Sequence, residues 1–234
     1  MFDCHCHILP GIDDGSKNVD MSLEMLKMSS EQGVEGIIFT PHFYADENGP
    51  EKFLERRAKA LDELEANLDK LDRVPQYLTG AEVHYFRGMS RVDSLESLCI
   101  GKSDYIMIEM PFRDWQANFI DEIEEISKVL GLKVIIAHIE RYFDQDRRLV
   151  KRILDNPDLL IQCNAEFFIE KPTTNKALKL LKSGRIDLLG TDCHRVERRR
   201  PNLKEAVEII EKKDKKGNLD HIWRMSRKIF SEAF

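Results

Sequence analysis

The fold predicted by this sequence is a single α/β domain whose parallel strands roll into a barrel, and three observations predict it. Short apolar or β-branched runs alternate with longer stretches of helical period along all 234 residues. Seven strand runs follow one another in this way with no sign of a reversal in strand order, which favours closure into a barrel over an open sheet. No Pro/Gly/Ser-rich linker interrupts them, so one domain over residues 1–234 is expected, and a chain of this length buries ample core.

The first strand, Met1–His7, alternates Phe2, Cys4 and Cys6 with Asp3, His5 and His7. A period of two sends the histidines to one face and the cysteines to the other, so only one of these pairs can serve a site. Helical spacing over Val19–Gln32 gives the first helix, and the run Val34–Thr40 the second strand. Glu51–Leu71 reads as a long amphipathic helix, followed by a strand over Gln76–Val83. The almost uninterrupted apolar run Tyr105–Met110 has the character of a strand covered on both faces, and a helix over Asn118–Leu130 follows it. Lys133–Ala137 and Leu159–Cys163 are strands around a helix, Asp146–Asn156. A helix over Asn175–Ser183, a strand over Ile186–Gly190 and helices over Leu203–Lys213 and Leu219–Ala233 complete the order.

Composition narrows the class. One third of the residues, 33%, are charged, and the net charge is −6, so the molecule as a whole has no electrostatic footprint for nucleic acid. No apolar run approaches the ~20 residues of a membrane span, and no basic leader precedes the first strand, so a cytoplasmic protein without membrane insertion is expected. The five cysteines are scattered and form no C-x-x-C, which points to reduced thiols. Of two charge clusters, Glu211–Lys216 reads as a solvated helix end, whereas Arg195–Arg200 lies beside the chemistry.

Taken in order, the C-terminal ends of the strands carry His5 and His7, then His42, Glu82, Glu109, His138, Asn164, and Asp192 with His194. In a barrel these ends meet at one mouth, where barrel active sites are built. A lone histidine would be an ordinary core or surface residue, and His84 and His221 are read that way; convergence sets the other five apart. With Asp14, the candidate ligand set is His5, His7, His42, His138, His194, Asp14, Glu82, Glu109 and Asp192. Nine ligands exceed one ion, and imidazole with carboxylate suits manganese, iron or zinc, two or three ions bridged by carboxylates. Three divalent cations against four carboxylates leave positive charge for hydroxide and an anionic, phosphate-like substrate. Arg141 and Arg199, in the loops after His138 and His194, have the planar forks that match phosphate oxygens.

The opening Asp3-x-His5-x-His7, followed by Ile-Leu-Pro-Gly-Ile-Asp-Asp-Gly-Ser16, resembles that of the PHP (polymerase and histidinol phosphatase) superfamily. More narrowly it is similar to the bacterial manganese-dependent protein-tyrosine phosphatases of capsule and exopolysaccharide operons. The likeness continues through Thr40-Pro41-His42, Gly80-Ala81-Glu82, Asp104-Tyr105, Glu109-Met110-Pro111, Ala137-His138-x-Glu140-Arg141-Tyr142 and Gly190-Thr191-Asp192-Cys193-His194. It implies a distorted (β/α)7 TIM-like barrel of PHP type with a trinuclear metal site at its mouth. It implies one ion held by His5, His7, Glu82 and Asp192, a second bridged by Glu82 to Glu109 and His138, and a third on Asp14, His42 and His194. Asp13 and Asp14 compete for one of these places, with Asp14 preferred, and Arg200 competes with Arg199, with Arg199 preferred by alignment through Pro201. Three positions depart from the family pattern: Ile139 replaces a proline, Arg200 interrupts an Arg-Pro-Pro, and Asn164–Phe168 is bulkier.

The activity so implied is hydrolysis of phosphotyrosine on a protein, the partner being a bacterial tyrosine kinase tail, by attack of a metal-bound hydroxide with Arg141, Arg199 and His138 as catalytic residues. A homo-oligomer is conceivable in such a family. Alternatives within the superfamily are a small-molecule phosphatase of the histidinol-phosphate kind or a phosphodiesterase. A rival from another class is a thiolate phosphatase using Cys193-x5-Arg199, although the intervening residues contain no glycine to let backbone amides cradle phosphate. A metal-loaded binding protein without activity would require a missing ligand.

Overall fold

The computed structural model describes every residue except Asp93, Lys215 and Lys216. Strand β1 spans Phe2–Cys6. Two staves are interrupted: the expected strand Val34–Thr40 is β2 (Gly36–Phe39), and the stave resumes beyond its expected end as β3 (His42–Phe43), while the expected Gln76–Val83 is broken into β4 (Gln76–Thr79) and β5 (Glu82–His84). Pro41 cannot donate to a ladder, which accounts for the first break. At the second, a Cβ on Gly80 would lie 2.9 Å from Ile100, so only glycine lets the backbone pass. Strands β6 (Tyr105–Glu109), β7 (Lys133–Ile136), β8 (Leu160–Asn164) and β9 (Leu188–Gly190) follow.

All ladders are parallel, in two ribbons ordered β1-β2-β4 and β3-β5-β6-β7-β8-β9. Because β2 runs on into β3 and β4 into β5, the ribbons are parts of one curled sheet of seven staves. Its last stave returns to its first: Asp192 N–H donates to His5 O at 2.8 Å and His7 N–H to Cys193 O at 3.0 Å. Buried Asp3 reinforces the seam, accepting from Thr191 N–H at 2.8 Å and from the Thr191 hydroxyl at 2.6 Å. The barrel expectation holds, with the distortion located at the two breaks.

The helices are α1 (Val19–Glu31), α2 (Pro50–Glu65), α3 (Ala117–Glu125), α4 (Arg147–Asp155), α5 (Glu166–Ile169), α6 (Thr174–Lys182), α7 (Leu203–Lys213) and α8 (Asn218–Ala233). Side-chain caps start two of them, Asn18 accepting from Met21 N–H at 3.0 Å and Asp146 from Arg148 N–H at 2.8 Å. The expected helix Glu51–Leu71 stops at Glu65 and resumes as a 3₁₀ turn over Leu68–Lys70. The one expected over Asn118–Leu130 widens to a π turn at Ile126–Leu130, ended by Gly131 in the left-handed region. The short α5 was not foreseen. Among the described residues, the connection from β5 to β6 carries 3₁₀ turns at Met89–Arg91 and Leu95–Leu98 and no α-helix. The charged cluster around Glu211 is an exposed helix end as expected, its Lys215 and Lys216 lying outside the described residues.

Alternate strand residues Phe2, Cys4, Ile38, Tyr105, Met107, Ile135 and Leu188 pack with Ile229, Phe230 and Ala233 of α8 in one buried cluster. By strand alternation, Glu109 lies on the same face as Tyr105 and Met107, and Gly190 on that of Leu188. An apolar floor therefore sits beneath a polar mouth. On β1 the register gains one residue between Asp3 and Cys6, a bulge that re-aims His5. No helix among the described residues is long and apolar enough to cross a membrane.

Gly190 sets the depth of the mouth, because a Cβ there would meet His5 Cβ at 2.5 Å and the Gln162 amide nitrogen at 3.0 Å. Gly190→Ala is expected to cost about 1–3 kcal/mol, the usual penalty of overpacking. An unchanged midpoint in denaturant unfolding would refute that contact.

Candidate metal centre

Five imidazoles and four carboxylates meet at the mouth, as the strand ends require. The donor atoms of His7, Asp14, His42 and His194 lie within 4.8 Å of one another, as do those of His5, His7 and Asp192 and those of His42, Glu82 and Glu109. His138 Nε2 lies 2.7 Å from one Glu82 oxygen and 3.4 Å from Glu109. All nine candidate ligands are thus brought together. Their grouping is more intermingled than the resemblance implies, with His7 facing two groups and His42 reaching Glu82 as well as Asp14.

The hydrogen bonds leave metal-binding lone pairs over. His5 Nδ1 is held by the Gln162 amide oxygen at 3.1 Å and His7 Nδ1 by Asp13 at 2.7 Å; both acceptors require the proton on Nδ1. The two Nε2 lone pairs then face each other across 3.2 Å, which only a shared cation or proton relieves. Glu82 Oε2 sits 3.0–3.2 Å from nitrogens of His5, His7 and His42, yet is among the buried atoms with no hydrogen-bond partner, together with His42 Nδ1 and His194 Nε2. Unsatisfied buried donors and acceptors of nitrogen and oxygen type, with no thiolate, fit divalent ions.

The alternatives among neighbours separate by geometry. Asp13 lies in the layer behind, accepting from His7 and, at 3.0 Å, from His42 N–H. Asp14 is 66% exposed and turns its carboxylate to His194 Nε2 at 3.2 Å and His42 Nε2 at 3.5 Å. Arg141 and Arg199 both donate to Asp192, the latter at 2.6 Å, and Asn164 adds a bond at 2.9 Å. Arg200 is drawn away to Glu205, and Arg195 to the carbonyls of Asp14 and Gly15.

Among the described residues, three other than glycine have positive φ, and all are candidate site residues: His138 at 31°, Asp192 at 52° and Arg199 at 50°. Each such conformation costs of order 1–3 kcal/mol and persists only where its surroundings enforce it.

Two supporting side chains were missed. His84, assigned to ordinary duty, donates from Nδ1 to Glu109 Oε2 at 2.8 Å; its spacing two residues after Glu82 on β5 was the available signal. Gln162, two before Asn164 on β8, ties His5 to His138 N–H, the latter at 2.6 Å. His221 keeps its structural reading in a pair with Asp187 at 2.8 Å. Cys193 is fully buried in the core cluster that also holds Cys6, so a thiolate route from Cys193-x5-Arg199 has no access to substrate.

Electrostatics follow from this crowding. Burial works against ionised Glu82 and Asp192, but the surrounding imidazoles, with Arg141 at Asp192, hold both well below the usual carboxylate range. Burial opposes a charged His138, yet Glu109 and Glu82 raise it to about 9.

A parallel barrel with buried imidazoles, carboxylates and two guanidinium groups at its C-terminal mouth defines the class of metal-dependent hydrolases acting on anionic esters. The chain belongs to the CpsB/CapC family of capsular polysaccharide synthesis, whose profile matches residues 1–229. It is 28% identical to the tyrosine-protein phosphatase YwqE of Bacillus subtilis over 91% of this chain and 84% of that one. It is 29% identical to the tyrosine-protein phosphatase CpsB of Streptococcus pneumoniae, covering 91% and 90%. Among solved structures, the YwqE and CpsB study, described as unique metal-dependent tyrosine phosphatases, gives a TM-score of 0.78 at 25% identity, covering 100% of this chain and 94% of that one. The phosphotriesterase homology protein of Escherichia coli shares the fold at a TM-score of 0.52, with 10% identity and 97% of each chain covered.

Metal and protons compete for the same nitrogens. With His138 raised from 6.5 to about 9, its protonated form stabilises chelator-treated protein fully below pH 6.5, and that contribution fades as pH rises towards 9. The unfolding midpoint of protein in chelator should therefore fall over this interval, whereas added manganese should raise the midpoint more at pH 9 than at 6.5. Glu82→Gln should remove most of the metal-dependent rise; a rise of equal size at both pH values, or one untouched by this substitution, contradicts the site.

Proposed function

We propose that this protein is a manganese-dependent phosphatase that hydrolyses phosphotyrosine on a protein, the partner being a bacterial tyrosine kinase of capsule or exopolysaccharide synthesis. The observation that carries the reading is the meeting of Arg141 and Arg199 on Asp192, at the edge of the nine-ligand cluster. Both guanidinium groups are about one third exposed, at 32% and 36%, so they reach substrate and centre alike. The family assignment and the names of the relatives support the same substrate.

Bound divalent ions supply Lewis acidity and an activated water. The chain supplies the remainder. His5, His7, Glu82 and Asp192 would hold one ion, Glu109 and His138 with Glu82 a second, and Asp14, His42 and His194 a third. Gln162, Asp13 and His84 fix the tautomer or orientation of His5, His7 and Glu109 in turn. Arg141 and Arg199 would leave Asp192 to bind the phosphoryl oxygens and stabilise the charge that spreads over them. Phenolate, with a pKa near 10, departs without a strong general acid, which suits an aryl ester.

Phe112 supports the aryl preference. It follows β6, is 56% exposed, and lies nearly parallel to His138, with an interplanar angle of 16° and 6.3 Å between centroids. A substrate ring can stack on it at the mouth, a contact worth about 0.5–1.5 kcal/mol.

Activity on a phosphotyrosine peptide should vanish with chelator and return with manganese. Arg141→Ala should lower kcat about 10²–10³-fold, the usual cost of one oxyanion donor, while Cys193→Ser retains activity. Turnover indifferent to chelator overturns the reading. Phe112→Ala should lower kcat/KM for aryl phosphates about two- to tenfold, as loss of one ring contact implies, and leave alkyl phosphates unaffected; equal losses on both would exclude stacking.

A further inference from the structure

A groove of about 1450 Å³ lies outside the metal centre, between α4 and α6. It opens at Phe143, two residues after Arg141, and passes between the two helices to Pro157 and Arg185, so one end adjoins the mouth. Val150, Leu154 and Leu180 line it with apolar surface. Its charged lining is cationic apart from Asp155, in a protein whose net charge is −6. Lys151 is taken up by Asp155, Arg148 by Asp146, and Arg185 by the carbonyls of Leu154 and Asn156. Arg147, Lys176 and Lys179 are exposed and have no anionic partner among the described residues.

We propose that this groove holds an acidic, extended stretch of the polypeptide that flanks the scissile phosphotyrosine; the proposal rests on the phosphotyrosine reading above. Three features argue for a polypeptide. The groove is concave, which a flat lipid surface does not fill. Its apolar lining between cations matches a strand that alternates acidic and apolar side chains. Its length, about 13 Å along the nine residues of α4, takes about four extended residues. Continuity with the mouth lets one chain occupy both, so that binding energy gained in the groove is added to that of the phosphoryl group.

The test uses the full-length protein with manganese and its Lys176→Glu/Lys179→Glu variant, both changes being on exposed positions of α6, which carries none of the candidate ligands. Substrates are a phosphotyrosine peptide with Glu- and Leu-rich flanks, the same peptide with Ser/Gly flanks, and 4-nitrophenyl phosphate. At low salt the variant should raise KM for the acidic peptide about tenfold, as the loss of complementary charge implies, while the neutral peptide and the small ester keep their wild-type constants. Fluorescence anisotropy of the unphosphorylated acidic peptide should show the same weakening. Binding lost in the variant without turnover of any phosphotyrosine would uphold the groove and remove the reaction reading. Equal KM values for acidic and neutral peptides, or a variant with wild-type affinity, overturn the groove. So does sedimentation with phosphatidylglycerol vesicles that the variant abolishes while its peptide affinity stays unchanged, since the surface would then be for lipid.

Discussion

Carboxylates and imidazoles buried side by side cannot be left uncompensated, and this constraint shapes the rest of the molecule. Glu82, Glu109, Asp192, His5, His7, His138 and His194 are all less than about 5% exposed. Ionised groups taken from water at such density cost several kcal/mol each unless cations or well-made hydrogen bonds offset them. The bulge on β1, the breaks at Pro41 and Gly80, and the strained backbone at His138, Asp192 and Arg199 all serve to bring donor atoms to one place. Local strain of this kind survives because the apolar floor and its covering helix hold the staves from below.

Much of this was legible in the residues. Strand runs, their order and the polar side chains at their C-terminal ends could be read from period and composition, and the likeness of the short motifs to a known superfamily supplied the barrel's distortion. What period cannot supply is what stands across the barrel. His84 and Gln162 share a face with Glu82 and Asn164, yet their partners, Glu109 and His5, lie on other strands. The choice between Asp13 and Asp14 is of the same kind. Adjacent in sequence, they differ in burial and in which imidazole nitrogens each meets, and both follow from the turn rather than from any propensity. Helix ends were misjudged where the last turn widens or tightens, since the residues remain apolar at helical spacing through Leu71 and Leu130.

The arginines show how one cluster of charge divides its labour. Arg195 braces the loop that carries Asp14, Arg199 faces Asp192, and Arg200 is anchored to α7 through Glu205. Three of the four guanidinium groups in these six residues thus have separate partners, and the run that looked like a single basic patch is a junction between centre, loop and helix.

The seam between β1 and β9 has a consequence for how the molecule assembles. Asp3 and Thr191 are 188 residues apart, so closing this seam carries a larger loop-closure cost than pairing staves that follow one another in sequence. The candidate ligands straddle the same seam, His5 and His7 on one side and Asp192 and His194 on the other. The full set of these donor atoms is brought together only in the closed ring. A cation held by donors from both sides would therefore act on this chain as a clasp, opposing the parting of the first and last staves.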